Sequence, residues 1–416
     1  MLKILQVHNR YRSGFGGEDT VLAEEHTLLQ QRGHSVEQLI VATQEADIQN
    51  GMKAALTGMQ AIWSSAGYRG VSDALRRHRP DIVHVHNTFP LLSPSVYWAA
   101  HRFGVPVVQT LHNYRLTCAN GLLLRDGAPC ESCVGSFPVA ALRHRCYRRS
   151  LAATSAVVGI QVVNHAIGSY SSKVDAYIAL TNFAKGVMVR AGLPETRIHV
   201  KPNFIAGFAD AAAPLADRKP QVVFVGRIAQ EKGLDLLLKA WADLGAGRPK
   251  LVIVGDGPER RELQGRVAGD PSIEWRGSLD RRDVLNEIRQ SQYLVLSSRW
   301  YEGFPMVMLE ALCAGTPVIV PRLGALPEIL GDGVFGAAFE AGNAIALRDT
   351  LEAALGVGPE KWREKSIAAR EAYSQSYTPE ANYRQLIEIY GSAQRQFRGG
   401  ESHRAVGPLD PANADL

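Results

Sequence analysis

The sequence contains no long apolar segment and no segment typical of a leader. No stretch approaches the ~20 consecutive apolar residues that a membrane-spanning helix requires, because polar residues interrupt even the most apolar one, residues 151–167. The first residues, MLKILQVHNRYRSG, have neither an apolar core nor the small-residue cleavage site of a secretory signal. We therefore expect a cytoplasmic protein whose membrane contact is peripheral, on the inner face.

Cysteine is scarce, and neither sign of charge dominates. Five cysteines among 416 residues are too few for a disulfide-stabilised scaffold. The 46 Lys and Arg residues exceed the 41 Asp and Glu residues by five, whereas nucleic-acid-binding domains carry a stronger, clustered basic excess. We therefore expect no nucleic-acid partner. With 46% hydrophobic and 21% charged residues, the composition is that of a globular protein and excludes a disordered or fibrous chain.

What the sequence does contain is a regular alternation of short apolar segments with helical patterns. The first series of predicted strands comprises residues 4–8, 35–41, 82–86, 105–111, 176–180 and 198–200. The second series comprises residues 222–225, 251–254, 273–275, 294–296 and 318–320. Strands that alternate with helices form parallel sheets through right-handed crossovers, so each series predicts one doubly wound α/β domain. Ligands of such sheets bind at the carboxyl ends of the strands.

The two series divide the chain into predicted domains. We predict an N-terminal domain over residues 1–203, with a cysteine-containing insertion at 115–150, and a C-terminal domain over residues 204–376. Residues 377–397 have the apolar spacing of one terminal helix. Residues 398–416 are rich in Gly, Pro, Asp and Asn and are expected to be disordered.

A glycine-bounded segment with two cations follows the first strand of the second series. In residues 226–233, GRIAQEKG, the glycines allow a tight turn at the strand end, and Arg227 and Lys232 place two positive charges there. A diphosphate requires such donors, because charge-assisted hydrogen bonds contribute about 1.5–3 kcal/mol each. The segment predicts a diphosphate site, and two solvated surface charges are the alternative.

Two glutamates mark a second candidate site. Glu302 lies just before a predicted helix, and Glu310 lies inside its apolar run. Pro305 suits the first turn of that helix, and the backbone amides from Gly303 and Phe304 onward would face a phosphate or sugar oxygen. Ligand hydroxyls would supply the hydrogen bonds that a buried carboxylate needs, so we expect Glu302 to contact a neutral, hydroxylated part of the ligand. In the alternative, Glu302 interacts with the helix dipole, and Glu310 forms its hydrogen bonds with protein groups.

Taken together, these features resemble the family-4 glycosyltransferases of the GT-B type, which have two Rossmann-like domains facing across a cleft. The resemblance covers roughly the first 395 residues. It implies that the N-terminal domain is the acceptor side, that the C-terminal domain binds the nucleotide sugar, and that the terminal helix crosses back to the first domain. The motifs that carry it are Gly16-Gly17 after the first strand, His112 after a later strand, the G-R-x4-K-G segment, the Gly255-Asp256-Gly257-Pro258 turn, and the Glu302 and Glu310 pair separated by seven residues.

The resemblance implies catalytic roles for four residues. Arg227 and Lys232 would hold the donor diphosphate and stabilise the leaving nucleotide. Glu302 would contact the donor sugar, and His112 would lie near the reacting sugar, although a lone histidine at a strand end is more often a structural hydrogen-bonding group. Glu310 would bind the ribose.

The resemblance also implies a substrate-binding set and the absence of a catalytic cofactor. Beyond the residues already named, the predicted substrate-binding set comprises Gly16, Gly17, Gly257, Arg276, Gly303 and Phe304. The glycines after the first strand would approach the phosphates or the acceptor, and the backbone near Arg276 would contact the base. The family acts with retention and generally needs no bound divalent metal, and here cations and helix amides can offset the leaving group's charge.

Four of the five cysteines occur in the predicted insertion. Cys118, Cys130, Cys133 and Cys146 have the spacing C-x11-C-x2-C-x12-C. The C-x2-C core suits two thiolates on one tetrahedral metal, which the outer two cysteines would close. In a reducing compartment zinc is expected rather than disulfides. We predict a structural zinc, and four thiols in a loop without metal are the alternative.

A basic segment without acidic residues follows the cysteines. Residues 134–174 contain no Asp or Glu, and their basic residues are Arg143, Arg145, Arg148, Arg149 and Lys173. Basic residues beside an apolar helix favour docking to anionic lipid. The alternative is a solvated helix that packs on the first sheet.

These observations lead to one expected function and two alternatives. We expect a retaining glycosyltransferase that moves a hexosyl group from a nucleotide-diphosphate sugar to a glycan or lipid-linked acceptor, in cell-surface polysaccharide or glycoconjugate synthesis. A nucleotide-sugar epimerase of the same fold is one alternative. A non-catalytic nucleotide-sugar-binding protein is the other.

Overall fold

The first half of the chain forms a parallel sheet. The computed structural model describes residues 1–10, 17–43, 58, 60–206, 217–245 and 247–402. The strands of the first sheet are β1 (Lys3–Arg10), β2 (Ser35–Ala42), β3 (Ile82–Asn87), β4 (Val107–Leu111), β7 (Ala176–Ala179) and β8 (Ile198–Val200). Their spatial order is β2-β1-β3-β4-β7-β8, and all pairs are parallel. A short antiparallel hairpin, β5 (Leu124–Arg125) and β6 (Ala128–Pro129), lies in the insertion after β4.

The second half repeats this arrangement. Its strands are β9 (Gln221–Val225), β10 (Lys250–Val254), β11 (Ile273–Gly277), β12 (Tyr293–Val295), β13 (Val318–Pro321) and β14 (Gly336–Phe339). Their spatial order is β11-β10-β9-β12-β13-β14, again entirely parallel. The predicted fold class, two doubly wound α/β domains, is therefore confirmed. The predicted boundary at residues 203 and 204 lies between the end of β8 and the start of β9.

Helices connect the strands and cover both sheets. The first half contains α1 (Gly17–Gln31), α2 (Ser65–His78), α3 (Ser95–Arg102), α4 (Val139–His144), α5 (Leu151–Ala166), α6 (Ser169–Ser172) and α7 (Asn182–Arg190). The second half contains α8 (Leu234–Ala242), α9 (Arg260–Arg266), α10 (Arg281–Gln290), α11 (Met306–Ala314), α12 (Leu326–Ile329), α13 (Ala344–Leu355), α14 (Pro359–Ser376) and α15 (Pro379–Ser402). Over the described ranges, none of these helices combines the length and the apolar character needed to span a bilayer.

The central strands of both sheets are buried because helices cover both faces. Val83 and Val85 of β3 are fully buried, as are Val222 and Val223 of β9, which is the pattern of parallel sheets buried on both sides. The strand order reverses between β1 and β3 in the first sheet and between β9 and β12 in the second. The crevice outside the carboxyl ends of these strands is where open α/β sheets bind ligands.

The last helix returns to the first sheet. The Tyr383 hydroxyl lies 2.8 Å from Nε2 of His34, the Tyr390 hydroxyl lies 2.9 Å from Nδ1 of His84, and Leu386 is fully buried. The helix continues to Ser402, so it includes the first residues of the tail that the sequence predicted to be disordered. Those residues extend the helix by hydrogen bonding in its last turns; residues 403–416 lie outside the described residues.

Candidate active site

An ion pair joins the two motifs of the second domain. The Lys232 ammonium donates to Oε1 of Glu302 at 2.7 Å, and the Ser298 hydroxyl donates to the same oxygen at 2.6 Å. Glu302 is buried, whereas a quarter of the Lys232 side chain is exposed. The cation predicted for the diphosphate and the carboxylate predicted for the sugar are therefore in direct contact. The sequence missed both this pairing and the role of Ser298.

The two predicted cations differ in how firmly they are held. Besides its bond to Glu302, the Lys232 ammonium lies 5.4 Å from the centre of the Trp300 ring, which adds a cation–π contact. Arg227 lies on the same loop with 52% of its side chain exposed, 4.0 Å from Glu231. Lys232 is positioned by the protein, and Arg227 is accessible to a ligand.

Glycines allow the loops of the site to pack backbone against backbone. Gly255 has a φ of +135°, and a Cβ there would lie 1.9 Å from the carbonyl oxygen of Gly226. A Cβ at Gly257 would lie 2.2 Å from the carbonyl oxygen of Ile228. The turn at residues 255–258 therefore packs directly on the cation-bearing loop, which explains why the turn requires glycine at both positions.

The two domains meet beside Glu302. A Cβ at Gly303 would lie 3.0 Å from the backbone oxygen of His112, so the absence of a side chain permits this approach. At the amino end of α1, a Cβ at Gly17 would lie 3.8 Å from the side chain of Met306, the first residue of α11. The structure thus brings His112 and Gly17 to the motifs of the second domain. Gly16, predicted with Gly17, lies outside the described residues.

His112 is anchored by a second histidine. Its Nε2 lies 3.0 Å from Nδ1 of His86, and the two rings stack at 5.3 Å. Burial lowers the pKa of His112 to about 4, although the nearby Glu25 carboxylate acts in the opposite direction. The ring is therefore neutral near pH 7.

Glu310 is buried, and its carboxyl forms no side-chain hydrogen bond with the residues that the structure describes. Its Oε1 lies 3.8 Å from Nε of Arg281, and Arg281 also pairs with Glu24 of α1. Burial raises the pKa of Glu310 to about 7; Arg281 lowers it and Glu24 raises it further. The carboxyl therefore has hydrogen-bonding capacity left for a ligand.

One detail, the place of Pro305, differs from the sequence-based expectations, and two others show which atoms of Phe304 and Arg276 a ligand can reach. The side chain of Phe304 is buried and lies 5.8 Å from the Tyr377 ring, so only its backbone can contact a ligand. Pro305 is the residue before α11 rather than part of its first turn, because its ψ of 114° is extended. The Arg276 guanidinium lies 3.1 Å from Glu274 and 3.7 Å from Glu287, which leaves the backbone at residues 276 and 277 for a base.

The four cysteines of the insertion are not disulfide-bonded, and all of them, Cys118, Cys130, Cys133 and Cys146, are partly exposed. In the part of the chain that the structure describes, no three of their sulfurs lie within 4.8 Å of one another, so the predicted zinc finds no support in this geometry. Among the described residues, the set whose possible ligand atoms lie within 4.8 Å of one another is Glu25, His84 and His86. The Lys201 ammonium, 2.7 Å from Glu25, already occupies that carboxylate.

Sequence reasoning also missed two acidic residues of the first domain. Glu25 is buried on α1, where it falls among the apolar positions of the helix, and that pattern could have revealed it. Glu18 lies in the first turn of α1 and accepts from Asn87 at 3.2 Å. Burial raises the pKa of Glu18 to about 7, with Asp19 adding to the shift.

Two parallel α/β domains, with a paired lysine and glutamate where their loops meet, define a glycosyltransferase of the GT-B type. The chain belongs to glycosyltransferase family 4. Residues 15–206 match the family model described as Glycosyltransferase Family 4, and residues 208–371 match the model described as Glycosyl transferases group 1. This membership favours a glycosyltransferase over the epimerase and the non-catalytic binding protein.

Relatives and solved structures agree with this assignment. The D-inositol 3-phosphate glycosyltransferase of Saccharomonospora viridis is 30% identical over 346 residues, which cover 78% of this chain and 73% of that protein. The enzyme of the same name from Rhodococcus jostii is 28% identical over 358 residues, covering 82% and 73%.

Solved structures share the fold at low sequence identity. Anabaena HepE, solved in complex with UDP and glucose, superposes with a TM-score of 0.64 at 17% identity, covering 94% of this chain and all of that one. Sucrose-phosphate synthase from Thermosynechococcus elongatus gives a TM-score of 0.68 at 17% identity, with 96% and 100% coverage. At these identities the likeness concerns the fold alone.

Proposed function

We propose that this glycosyltransferase transfers a hexosyl group, with retention, from a UDP-hexose to a hydroxyl group of a glycan or lipid-linked acceptor. The observation that carries the proposal is the contact between Lys232 and Glu302 directly beside the backbone of His112. A cation for the leaving phosphate and an acceptor for the sugar hydroxyls are thus adjacent where the two domains meet.

In the proposed donor complex, each part of the nucleotide sugar has a counterpart. Lys232 and the accessible Arg227 bind the diphosphate, and the free lone pairs of Glu302 accept from hydroxyls of the hexose. Glu310 accepts from the ribose, and the backbone at Gly277 contacts the base. A uracil base is proposed because HepE, which shares the fold, is described in complex with UDP and glucose.

The proposed chemistry depends on stabilising the leaving group. As the bond between the anomeric carbon and the phosphate oxygen breaks, negative charge accumulates on the UDP, where Lys232 and Arg227 are positioned to offset it. The acceptor hydroxyl attacks the same face of the sugar and releases its proton to the departing phosphate. No bound metal ion is part of this proposal.

The acceptor side is proposed to be the wall of the first domain. A cavity there is lined by apolar side chains and by Asn87, His112, Asn113, Arg115 and Gln161, and these polar side chains suit a hydroxylated acceptor. We place the product in cell-surface polysaccharide or glycoconjugate synthesis on the strength of this polar lining and the basic segment beside it.

The membrane proposal is supported by apolar side chains exposed among arginines. Phe137, Val139 and Leu151 are 62%, 59% and 51% exposed, and Arg143 and Arg145 between them are also exposed. Such a surface suits the interface of an anionic bilayer, to which each basic residue contributes about 1 kcal/mol.

Sedimentation with vesicles should detect this contact. The protein is expected to bind phosphatidylglycerol-containing vesicles better than pure phosphatidylcholine vesicles, and Phe137→Ser/Val139→Ser should weaken binding several-fold. Ile345→Ser is the matched control, because Ile345 is 60% exposed in the other domain. Equal binding to both vesicle types would contradict the proposal.

The donor and the stereochemistry can be tested on the full chain. In a panel of nucleotide sugars that differ in base or sugar, UDP-hexoses are expected to raise the melting temperature with concentration. With acceptors present, an α-linked donor should yield an α-linked product in NMR spectra. An inverted anomer would exclude retention, and interconversion of the donor sugar without acceptor would indicate an epimerase.

A further inference from the structure

Behind His112 lies a chain of buried polar groups that the proposed chemistry does not use. The Lys201 ammonium donates to Oε1 of Glu25 at 2.7 Å, and Oε2 of Glu25 lies 3.6 Å from Nε2 of His86. The other nitrogen of His86 contacts His112 at 3.0 Å. Glu25, His86 and Lys201 are each no more than 2% exposed, so solvent does not compete with these contacts.

The Glu25 carboxylate fixes which ring nitrogen of His86 carries the hydrogen. Nε2 of His86 and Oε2 of Glu25 have no hydrogen-bond partner among the described residues, and they face each other. The Lys201 ammonium and then His86 oppose the effect of burial, so that the pKa of Glu25 lies below its ordinary value and the carboxyl is ionised. A ring nitrogen opposite a carboxylate is favourable only when it carries the hydrogen, because two lone pairs would repel.

The hydrogen position on His86 in turn determines the hydrogen position on His112. Burial keeps His86 neutral, since its pKa lies well below the ordinary value, so a hydrogen on Nε2 leaves a lone pair on Nδ1. That lone pair can accept only from a hydrogen on Nε2 of His112. Neutral His112 then has its own lone pair on Nδ1, and the ring is partly accessible and lines the cavity beside Asn87 and Asn113.

We infer that Lys201, Glu25 and His86 form a buried relay that holds His112 in the tautomer with no hydrogen on Nδ1. This Nδ1 faces the reacting sugar and accepts a hydrogen bond from it. The three relay members are positioning residues, because they act through His112. The place of His112 beside the sugar rests on the proposed function, whereas its tautomer does not. A lone pair facing a sugar that acquires positive charge as its bond to phosphate breaks stabilises that charge, and an N–H group would oppose it.

The tautomer can be measured on the unaltered protein. With ¹⁵N-labelled histidine, long-range proton–nitrogen correlation spectra report which ring nitrogen carries hydrogen, and loss of one signal set in His112→Asn and another in His86→Asn assigns the two rings. Both are expected as the Nε2–H tautomer near neutral pH. Hydrogen on Nδ1 of His112 would overturn the inference without any activity assay.

Glu25→Gln should reverse both tautomers. The Lys201 ammonium can only donate hydrogen bonds, so it stays in contact with the oxygen of the new amide side chain. The amide NH2 group then points at Nε2 of His86. His86 must then donate from Nδ1 to His112, whose hydrogen moves to its own Nδ1. We expect kcat to fall about 10- to 100-fold, with the Kd for UDP unchanged within about twofold. Unchanged tautomers in this variant would show that Glu25 does not set them.

Tyr177→Phe is the matched control. Its hydroxyl is buried in the core of the same domain and donates to the backbone oxygen of Tyr170 at 2.6 Å, not to Glu25, His86 or His112. This variant is expected to lose stability while it retains the wild-type tautomers and kcat. Reversed tautomers in Glu25→Gln with normal kcat would count against the proposed position of His112 at the sugar, and wild-type tautomers would count against the relay itself.

Discussion

Replacing Lys232 by methionine is expected to lower kcat for glycosyl transfer about 100- to 1,000-fold, the loss typical of removing one preorganised group that stabilises developing negative charge. The ammonium is held at 2.7 Å from Glu302 and over the Trp300 ring, so it needs no rearrangement to meet the leaving group of the proposed reaction. The same change leaves buried Glu302 without its paired cation, so the unfolding free energy should also fall, by about 2 kcal/mol.

A double variant separates these two effects. In Lys232→Met/Glu302→Gln no unpaired charge is left buried, and the melting temperature should return toward that of the wild type while kcat stays low. Lys250→Met is a control for the loss of one lysine, because Lys250 lies at the exposed start of β10, 3.7 Å from Glu274, and its kcat should be unchanged. Wild-type kcat in the double variant would show that Lys232 and Glu302 are not part of the active site.

Most strands of the two parallel sheets could be predicted from the sequence because burial on both faces favours short apolar runs. The strand of these two sheets that was missed, β14, is only four residues long and reads Gly-Ala-Ala-Phe, so it lacks the branched residues that mark most of the others. Periodicity also located the loops that follow β9 and precede α11. Their candidate site residues were chosen because parallel strands end at one edge of the sheet.

Contacts between distant segments could not be predicted in the same way. Lys232 and Glu302 are 70 residues apart and meet because β9 and β12 are neighbours, an order that a single sequence does not determine. Lys201 and Glu25 are 176 residues apart. Glu25 was nevertheless visible as a charged residue at an apolar position of α1, since Val21, Leu22, Leu28 and Leu29 share its buried face.

The unfolding free energy of the ligand-free protein should fall by about 3 kcal/mol between about pH 5 and pH 8 because of Glu310 alone. Burial raises the pKa of this carboxyl from 4.5 to about 7, with Arg281 opposing and Glu24 adding to the shift. A group whose pKa is raised by folding stabilises the protein fully below its unfolded-state pKa. That stabilisation is lost as the pH rises through the folded-state value.

Glu310→Gln should remove this dependence, because glutamine is neutral throughout the range. Chemical denaturation of both proteins at several pH values gives the difference, in which shared contributions cancel, including Glu18 and the buried histidines. Glu360→Gln, at an exposed position of α14, should reproduce the wild-type profile. If Glu310 binds the ribose as a carboxylate, UDP should stabilise the wild type increasingly toward pH 8 and the variant by a constant amount. A pH-independent difference between wild type and variant would show that Glu310 is ionised throughout, and that its burial costs nothing over this range.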